Sequence, residues 1–293
     1  MEAISHTDLI LNSDGSIFHL HLKPGDIADT ILLVGDPGRV RQVSNRFDSI
    51  EVVKENREFV THTGRYKGMR MSVLSTGIGT DNIDIVLNEL DALVNVDLTE
   101  RRVKEGHSKL RLIRMGTSGA LRSDIPVGST ILSKIACGFD GLYHFYKDEK
   151  GVSIEELTQS FIRHTGWKRR LSDPYFIESS EALFNLFESD EILSGITIST
   201  PGFYAPQVRS IRLSPFDKQL VEKAGSFEFD SLRINNFEME CSALYALSAL
   251  LGHEAITMCV AIANRVDKTF LEDYKPYVDR LIGFVLDKLV ADD

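Results

Sequence analysis

Five short stretches of this chain hold polar residues that apolar packing does not account for. The first is Gly35-Asp36-Pro37-Gly38-Arg39, directly after the apolar run TILLV. A glycine lets a backbone N–H come close to an anion, and a following helix start adds its positive end. Arg39 supplies a fork of donors suited to phosphate. Taken alone, the segment also reads as an ordinary turn with Asp36 as an N-cap. The second, Ser75-Thr76-Gly77-Ile78-Gly79-Thr80, has two glycines of a dinucleotide fingerprint. Asn82 stands where the third belongs, which leaves a bare GxG. In the third, Arg114-Met115-Gly116-Thr117-Ser118-Gly119, an apolar strand runs into an arginine and then into a loop of glycines and hydroxyls. A guanidinium at the end of a buried run needs a partner. A carboxylate and a bound oxyanion both qualify.

The fourth stretch, Phe203-Tyr204-Ala205-Pro206-Gln207-Val208-Arg209, sets an amide and an arginine beside aromatic rings. Phe203 can stack on a flat heterocycle, and Gln207, with one acceptor and two donors, matches an imide edge. Standing alone it is a surface loop. The fifth, Glu238-Met239-Glu240, opens a strongly apolar helix. Acids there suit the helix dipole; a carboxylate there can also grip vicinal sugar hydroxyls, with Met239 as a soft wall. His19 and His21 fall on one face of an expected strand, but no third ligand has metal-like spacing, so no metal site is expected. Asn264-Arg265 ends a buried run as Arg114 does. The sequence has no GxxxxGK[ST], GxSxG or HExxH.

Strands ending in loops must bring these groups together, because the C-terminal ends of strands are where α/β sheets build sites. The pattern supplies them. Residues 16–22, 30–34, 49–53, 58–65, 70–75, 110–115, 129–134, 196–200 and 254–263 read as strands, with Lys67-Gly68 as a hairpin turn. Helical spacing marks residues 40–47, 80–94, 239–251 and 277–289. In 80–94 it places Ile83, Val86, Leu87, Leu90 and Leu93 on one face. Alternating units of this kind argue for one α/β domain, residues 1–293, with a mixed central sheet. Residues 95–108 and 146–190 are the least regular and read as surface insertions with some helix.

The whole chain narrows the function classes. Its 293 residues, 43% hydrophobic, can bury a large core. A net charge of -10 argues against nucleic acid as a partner, although a few arginines in one pocket can still hold a small anion. Cys137, Cys241 and Cys259 are odd in number and widely spaced, which fits a reducing compartment. No apolar run approaches the ~18 residues of a membrane span, and no secretory signal is visible. A cytoplasmic location is the expectation.

Taken in order, GDPGR, STGIG, RMGTSG, FYAPQVR, FEMECSALY and ANR resemble the nucleoside phosphorylase-I family, specifically its uridine phosphorylase branch, from about Phe18 to about Leu289. The resemblance implies a central mixed sheet closing into a distorted barrel flanked by helices. It also implies a homo-oligomer in which each site borrows residues from a neighbour, with a dimer as the minimal active unit and a hexamer as a trimer of dimers. On the matching positions, Gly35, Arg39, Arg114 and Thr117 resemble the phosphate site, with Arg57 as the arginine lent by the neighbour. His19 resembles the histidine lent to the ribose 5′-hydroxyl. Glu240 and Met239, with Glu238 and Ile78 nearby, resemble the ribose contacts. Ser118, Gly119, Phe203, Gln207 and Arg209 resemble the base pocket, closed from behind by Arg265.

The purine branch of that family carries an Asp at the end of the strand after the EME helix. Here that strand ends Ala263-Asn264-Arg265, which favours a pyrimidine. The implied reaction is phosphorolysis of uridine to uracil and ribose 1-phosphate, with Arg114, Gln207, Arg209 and Glu240 at its centre. Phosphate is a co-substrate and no cofactor is expected. The alternatives are a phosphorylase for deoxyuridine, thymidine or purine nucleosides, and a non-catalytic member of the fold. Two departures stand out. Asn56 lies where a histidine often precedes the arginine of the REF segment. Asn82 replaces a serine at a potassium site seen in some members, whose other positions match Glu58 and Ile78.

Overall fold

All five residues of Thr30–Val34 are buried, and their side chains alternate between two cores. Ile31 and Leu33 join one apolar cluster, Leu32 and Val34 the other. That is the two-residue period of a strand covered on both faces. In the computed structural model, which describes residues 3–292, this strand is β1. Helix α1 (Pro37–Ser44) follows, then β2 (Ser49–Asn56), β3 (Phe59–Tyr66), β4 (Met69–Ser75) and α2 (Thr80–Asn95). A short hairpin, β5 (Val96–Asp97) and β6 (Arg102–Val103), precedes the long strands β7 (Arg111–Ala120) and β8 (Thr130–Gly138). Next come α3 (Glu155–Thr165), β9 (Tyr175–Glu178), α4 (Glu181–Phe187) and β10 (Leu193–Ser199). After α5 (Leu220–Gly225), β11 (Glu228–Phe229) and β12 (Leu232–Glu238), the chain closes with α6 (Cys241–Leu251), β13 (Glu254–Asn264), β14 (Thr269–Phe270) and α7 (Lys275–Asp292).

The main sheet runs β11-β12-β10-β8-β13-β7-β1-β4-β3-β2, and β12 pairs a second time, with β7. That extra ladder, Asn236 opposite Ala120 and Phe237 opposite Gly119, closes β7, β13, β8, β10 and β12 into a five-stranded barrel of mixed direction. The expected α/β fold with a distorted barrel and flanking helices is borne out. Helix α2 packs beside α6 on one face, while α1, α4 and α7 cover the other. In α6 every residue from Cys241 to Ser248 is buried, as a helix that is apolar all round requires. The Lys67-Gly68 turn has positive φ at both residues, 48° and 91°, the geometry of a tight hairpin.

Three local expectations need correction. Residues 16–22 form no strand. Ile17 N–H bonds to Leu22 O at 2.9 Å and His21 N–H to Ile17 O at 3.1 Å, so the segment turns back on itself, and His19 and His21 share no strand face. Alternation of apolar and polar residues marks a half-buried segment, and a turn anchored at Ile17, Leu20 and Leu22 produces the same pattern. Gly116 to Gly119 are not a loop. They continue β7, opposite Cys259 to Ala263, because small residues let the barrel wall close tightly. Strand β12 was hidden by its polar residues Arg233, Asn235 and Asn236, two of which are buried against neighbouring strands. In addition, residues 146–190 hold two helices and a strand of the main sheet, with Phe161, Phe176 and Phe187 fully buried.

Candidate active site

Residues at or beyond the C-terminal ends of β1, β4, β7, β10, β12 and β13 line one cleft of about 1160 Å³. At its β1 end the GDPGR segment forms the capped turn its sequence allows and sends Arg39 into the cleft. Asp36 caps α1, accepting from Gly38 N–H at 2.8 Å, with Pro37 opening the helix. Arg39 leaves that helix to donate to Met115 O on β7 at 3.2 Å. Arg114, also on β7, is almost fully buried and ion-paired to Glu240, with Glu238 at 3.3 Å. Burial works against its charge, but the carboxylates of Glu240 and Glu238 outweigh burial and hold it above its ordinary pKa. Arg39 is pushed the other way, first by burial and then by Arg114. Two guanidiniums that repel each other beside one cleft favour an anion near both. Gly116 makes this geometry feasible: a Cβ there would stand 2.4 Å from Arg114 Nη1 and 2.9 Å from Cys259 Sγ.

A second cationic pair lies at the β10 end. Gln207, buried, donates to Thr200 Oγ1 at 3.0 Å and accepts from Arg209 through Oε1. The Arg209 guanidinium also donates to Phe203 O at 2.8 Å and lies 3.7 Å over the Phe203 ring. Burial and then Arg265 lower its pKa to about 10, and burial lowers that of Arg265. Among the described residues, Arg114 Nε, Ser118 Oγ and Arg265 Nη1 are buried without a hydrogen-bond partner. They are three of nine such atoms among the described residues, and all three lie in residues that line this cleft.

Between the two ends sit the residues of the EME segment, shifted from their expected place. Glu238 ends β12 and Glu240 precedes α6, so neither lies within the helix. Glu238 accepts from Ser199 Oγ, from Glu240 N–H at 2.9 Å and from Cys241 N–H at 3.0 Å, which ties the start of α6 to β10. Burial and then Glu240 push its carboxyl pKa up, against the pull of Arg114. Glu240 accepts from Gly79 N–H at 2.7 Å. Gly79 of STGIG, at φ 99°, thus meets this carboxylate directly, while a Cβ at Gly77 would stand 2.4 Å from Asn82 Nδ2. Met239 and the exposed Ile78 complete the middle wall.

Residues 29–289 match the family model described as the phosphorylase superfamily. The chain belongs to that superfamily. A uridine phosphorylase from Thermococcus kodakarensis is 32% identical over 88% of this chain and 80% of its own length. A purine nucleoside phosphorylase of the DeoD type from Streptococcus suis is 27% identical over 94% and 99%. The crystal structure of a Trypanosoma brucei nucleoside phosphorylase, described as showing uridine phosphorylase activity, superposes with a TM-score of 0.85 at 29% identity, covering 97% of this chain and all of that one. The family expected from the six motifs is borne out.

Within this phosphorylase, Gly35, Arg39, Arg114 and Thr117 reach one cleft with Ile78, Glu238, Met239 and Glu240, as do Ser118, Gly119, Phe203, Gln207, Arg209 and Arg265. His19 and Arg57 do not. Arg57, at φ 54° in the β2–β3 turn, lies 5.8 Å over the Phe18 ring, while its neighbour Glu58 lines the cleft. Asn82 donates to Glu58 at 3.3 Å. Sequence reasoning missed Lys268 and Phe270, which line the cleft from the β13–β14 hairpin. The signal was present in Val266-Asp267-Lys268-Thr269, a polar turn after a buried strand. It also missed a distant cluster of Asp91, His107 and His253. There Leu110 N–H donates to His253 Nδ1 at 3.2 Å, which leaves the proton on Nε2, facing Asp91 at 3.3 Å.

No helix among the described residues is long and apolar enough to cross a membrane.

Proposed function

We propose that this phosphorylase cleaves uridine with phosphate, giving uracil and ribose 1-phosphate. The observation that carries the reading is the pairing of guanidiniums at both ends of one cleft, with Glu240 between them. Phosphate enters beside Arg39 and Arg114, where its charge relieves their repulsion. Glu240 holds the ribose hydroxyls and Met239 the sugar face. The C1′–N1 bond then stretches toward an oxocarbenium-like sugar, and phosphate oxygen bonds to C1′ as the base leaves with the electron pair. Charge builds on uracil where Gln207 and Arg209 meet its imide edge. Two crowded guanidiniums, Arg209 and Arg265, bind that developing anion better than the neutral base, which lowers the barrier selectively. No covalent enzyme intermediate and no cofactor is needed.

His19 and Arg57 belong in this reading to the cleft of a neighbouring copy, so the active form is a homo-oligomer with a dimer as its minimum. The position of both outside their own cleft supports that assignment. Asn264 supports a pyrimidine: all four of its amide positions are occupied by backbone groups, so it has none left for a purine. The test is release of free base from uridine, thymidine, inosine and adenosine, each with and without phosphate. Phosphate-dependent release from uridine first is the expected result. Release led by inosine would overturn the base pocket, and no release at all would favour a non-catalytic member of the fold.

A further inference from the structure

The turn that carries His19 is fastened by side chains from outside it, and one of them reaches the imidazole itself. Glu89, midway along α2, accepts from His19 N–H at 2.9 Å and from Leu20 N–H at 2.8 Å. The same carboxylate meets His19 Nδ1 at 2.6 Å. From the other side, Asn56 donates to His19 O at 2.7 Å. Glu89 is only 12% exposed, and its helix is fixed by Val86, Leu87 and Leu90 in the core. One carboxylate thus sets the backbone, the ring orientation and the tautomer of His19.

The tautomer follows from charge. An ionised carboxylate only accepts, so Nδ1 carries a proton, and in the neutral imidazole Nε2 is then left with its lone pair. Among the described residues Nε2 has no hydrogen-bond partner, and the ring is 26% exposed. The arrangement resembles the fixing of a working imidazole through its other nitrogen. Helix α2 adds a link between regions. Gly79, just before its first residue, bonds Glu240 in the chain's own cleft, and Glu89 holds His19 about 15 Å along the same rigid rod.

We infer that Glu89 is a positioning residue, which presents His19 Nε2 as an acceptor for the ribose 5′-hydroxyl in the cleft of a neighbouring copy. The inference rests on the reading of His19 given above. The experiment compares uridine with 5′-deoxyuridine, which lacks that hydroxyl, in full-length wild type, Glu89→Gln, His19→Ala and the double variant. The quantity read is the ratio of kcat/KM on uridine to that on 5′-deoxyuridine. In each single variant it should fall about tenfold, the worth of one hydrogen bond, and the double variant should fall no further. Glu89→Asp, which keeps an accepting carboxylate on a shorter stem, should give an intermediate ratio, and it serves as the second test if Glu89→Gln folds poorly. A lowered ratio in His19→Ala with a wild-type ratio in the Glu89 variants would overturn the role of Glu89 and leave that of His19 standing. Equal loss on both substrates in the Glu89 variants would make Glu89 a structural residue only. A wild-type ratio in His19→Ala would overturn the reading of His19 and the inference with it.

Discussion

The cleft and the Phe18–His19–Arg57 cluster differ in where their polar groups end. In the cleft, charges are turned onto one another inside a single chain: Arg114 onto Glu240 and Glu238, Arg209 onto Gln207 and the Phe203 face. In the cluster, the inner side is finished and the outer side is not. Glu89 and Asn56 satisfy the backbone of His19, while Arg57 has only an aromatic ring beneath it and no polar partner among the described residues. One turn separates the two regions, with Glu58 facing in and Arg57 lying over Phe18. The cleft is organised by the chain's own electrostatics. In the proposed reading, the cluster's open side faces the cleft of a neighbouring copy.

The largest effect should come from breaking the cleft at Arg114. Arg114→Ala removes a phosphate donor and leaves two buried carboxylates without their counter-charge. Turnover should fall about 10³-fold, and stability by about 3–5 kcal/mol. The loss should depend on pH with a definite sign. Glu238 already has a raised pKa, so its contribution to stability is present at acid pH and is lost as pH rises through its folded value. Without Arg114 that value rises further. Melting temperatures of wild type and variant should therefore differ less at about pH 5.5 than at about pH 8. An equal difference at both would show that the carboxylates are not the source of the instability. Arg209→Ala comes next: turnover should fall about 10²–10³-fold with melting little changed, because that guanidinium is half-exposed and has no acidic partner. Near-wild-type turnover would sink the assignment of the base end.

The outer cluster is tested by mixing. Arg57→Ala should lower turnover about 10²-fold without touching the chain's own cleft. After subunit exchange, Arg57→Ala and Arg114→Ala together form one intact site in each mixed dimer. Random exchange then restores about a quarter of wild-type activity. No recovery, with exchange verified by mass, would place Arg57 outside any shared site.

How much of this was legible in the sequence follows the same division. The five cleft segments could be read because each breaks a local rule. An arginine follows a buried run at Arg114, glycines fall within an apolar strand pattern at Gly116 and Gly119, and acids stand before an apolar helix at Glu238 and Glu240. What they meet could not be read, since Arg114 and Glu240 are 126 residues apart. The clamp at Glu89 left no mark at all, because a glutamate in an amphipathic helix looks like any solvated acid. Strand β12 escaped for the opposite reason: its asparagines meet neighbours distant in sequence, with Asn235 Nδ2 donating to Ser194 O and Asn236 Oδ1 accepting from Thr197 Oγ1. The turn at His19 escaped because a half-buried turn and a half-buried strand share one hydrophobic pattern.

The smallest effect on activity is expected where the cleft is purely structural. Asn264 lines it, yet its Nδ2 donates to Arg122 O and Ile125 O at 2.8 and 2.9 Å, and its Oδ1 accepts from Val266 and Asp267 N–H. These four bonds pin the start of the hairpin that carries Arg265 and Lys268. Asn264→Asp keeps the acceptor and removes both donors, leaving two carbonyls near a buried negative charge. The expected result is a destabilisation of about 1–3 kcal/mol, a change in uridine turnover of no more than about threefold, and no gain of inosine cleavage. An acid at this position protonates a purine only if its carboxyl is free to turn into the cleft, and here the backbone holds it. Inosine cleavage appearing in Asn264→Asp, with stability unchanged, would show that one residue sets the base class and that the hairpin bonds are dispensable.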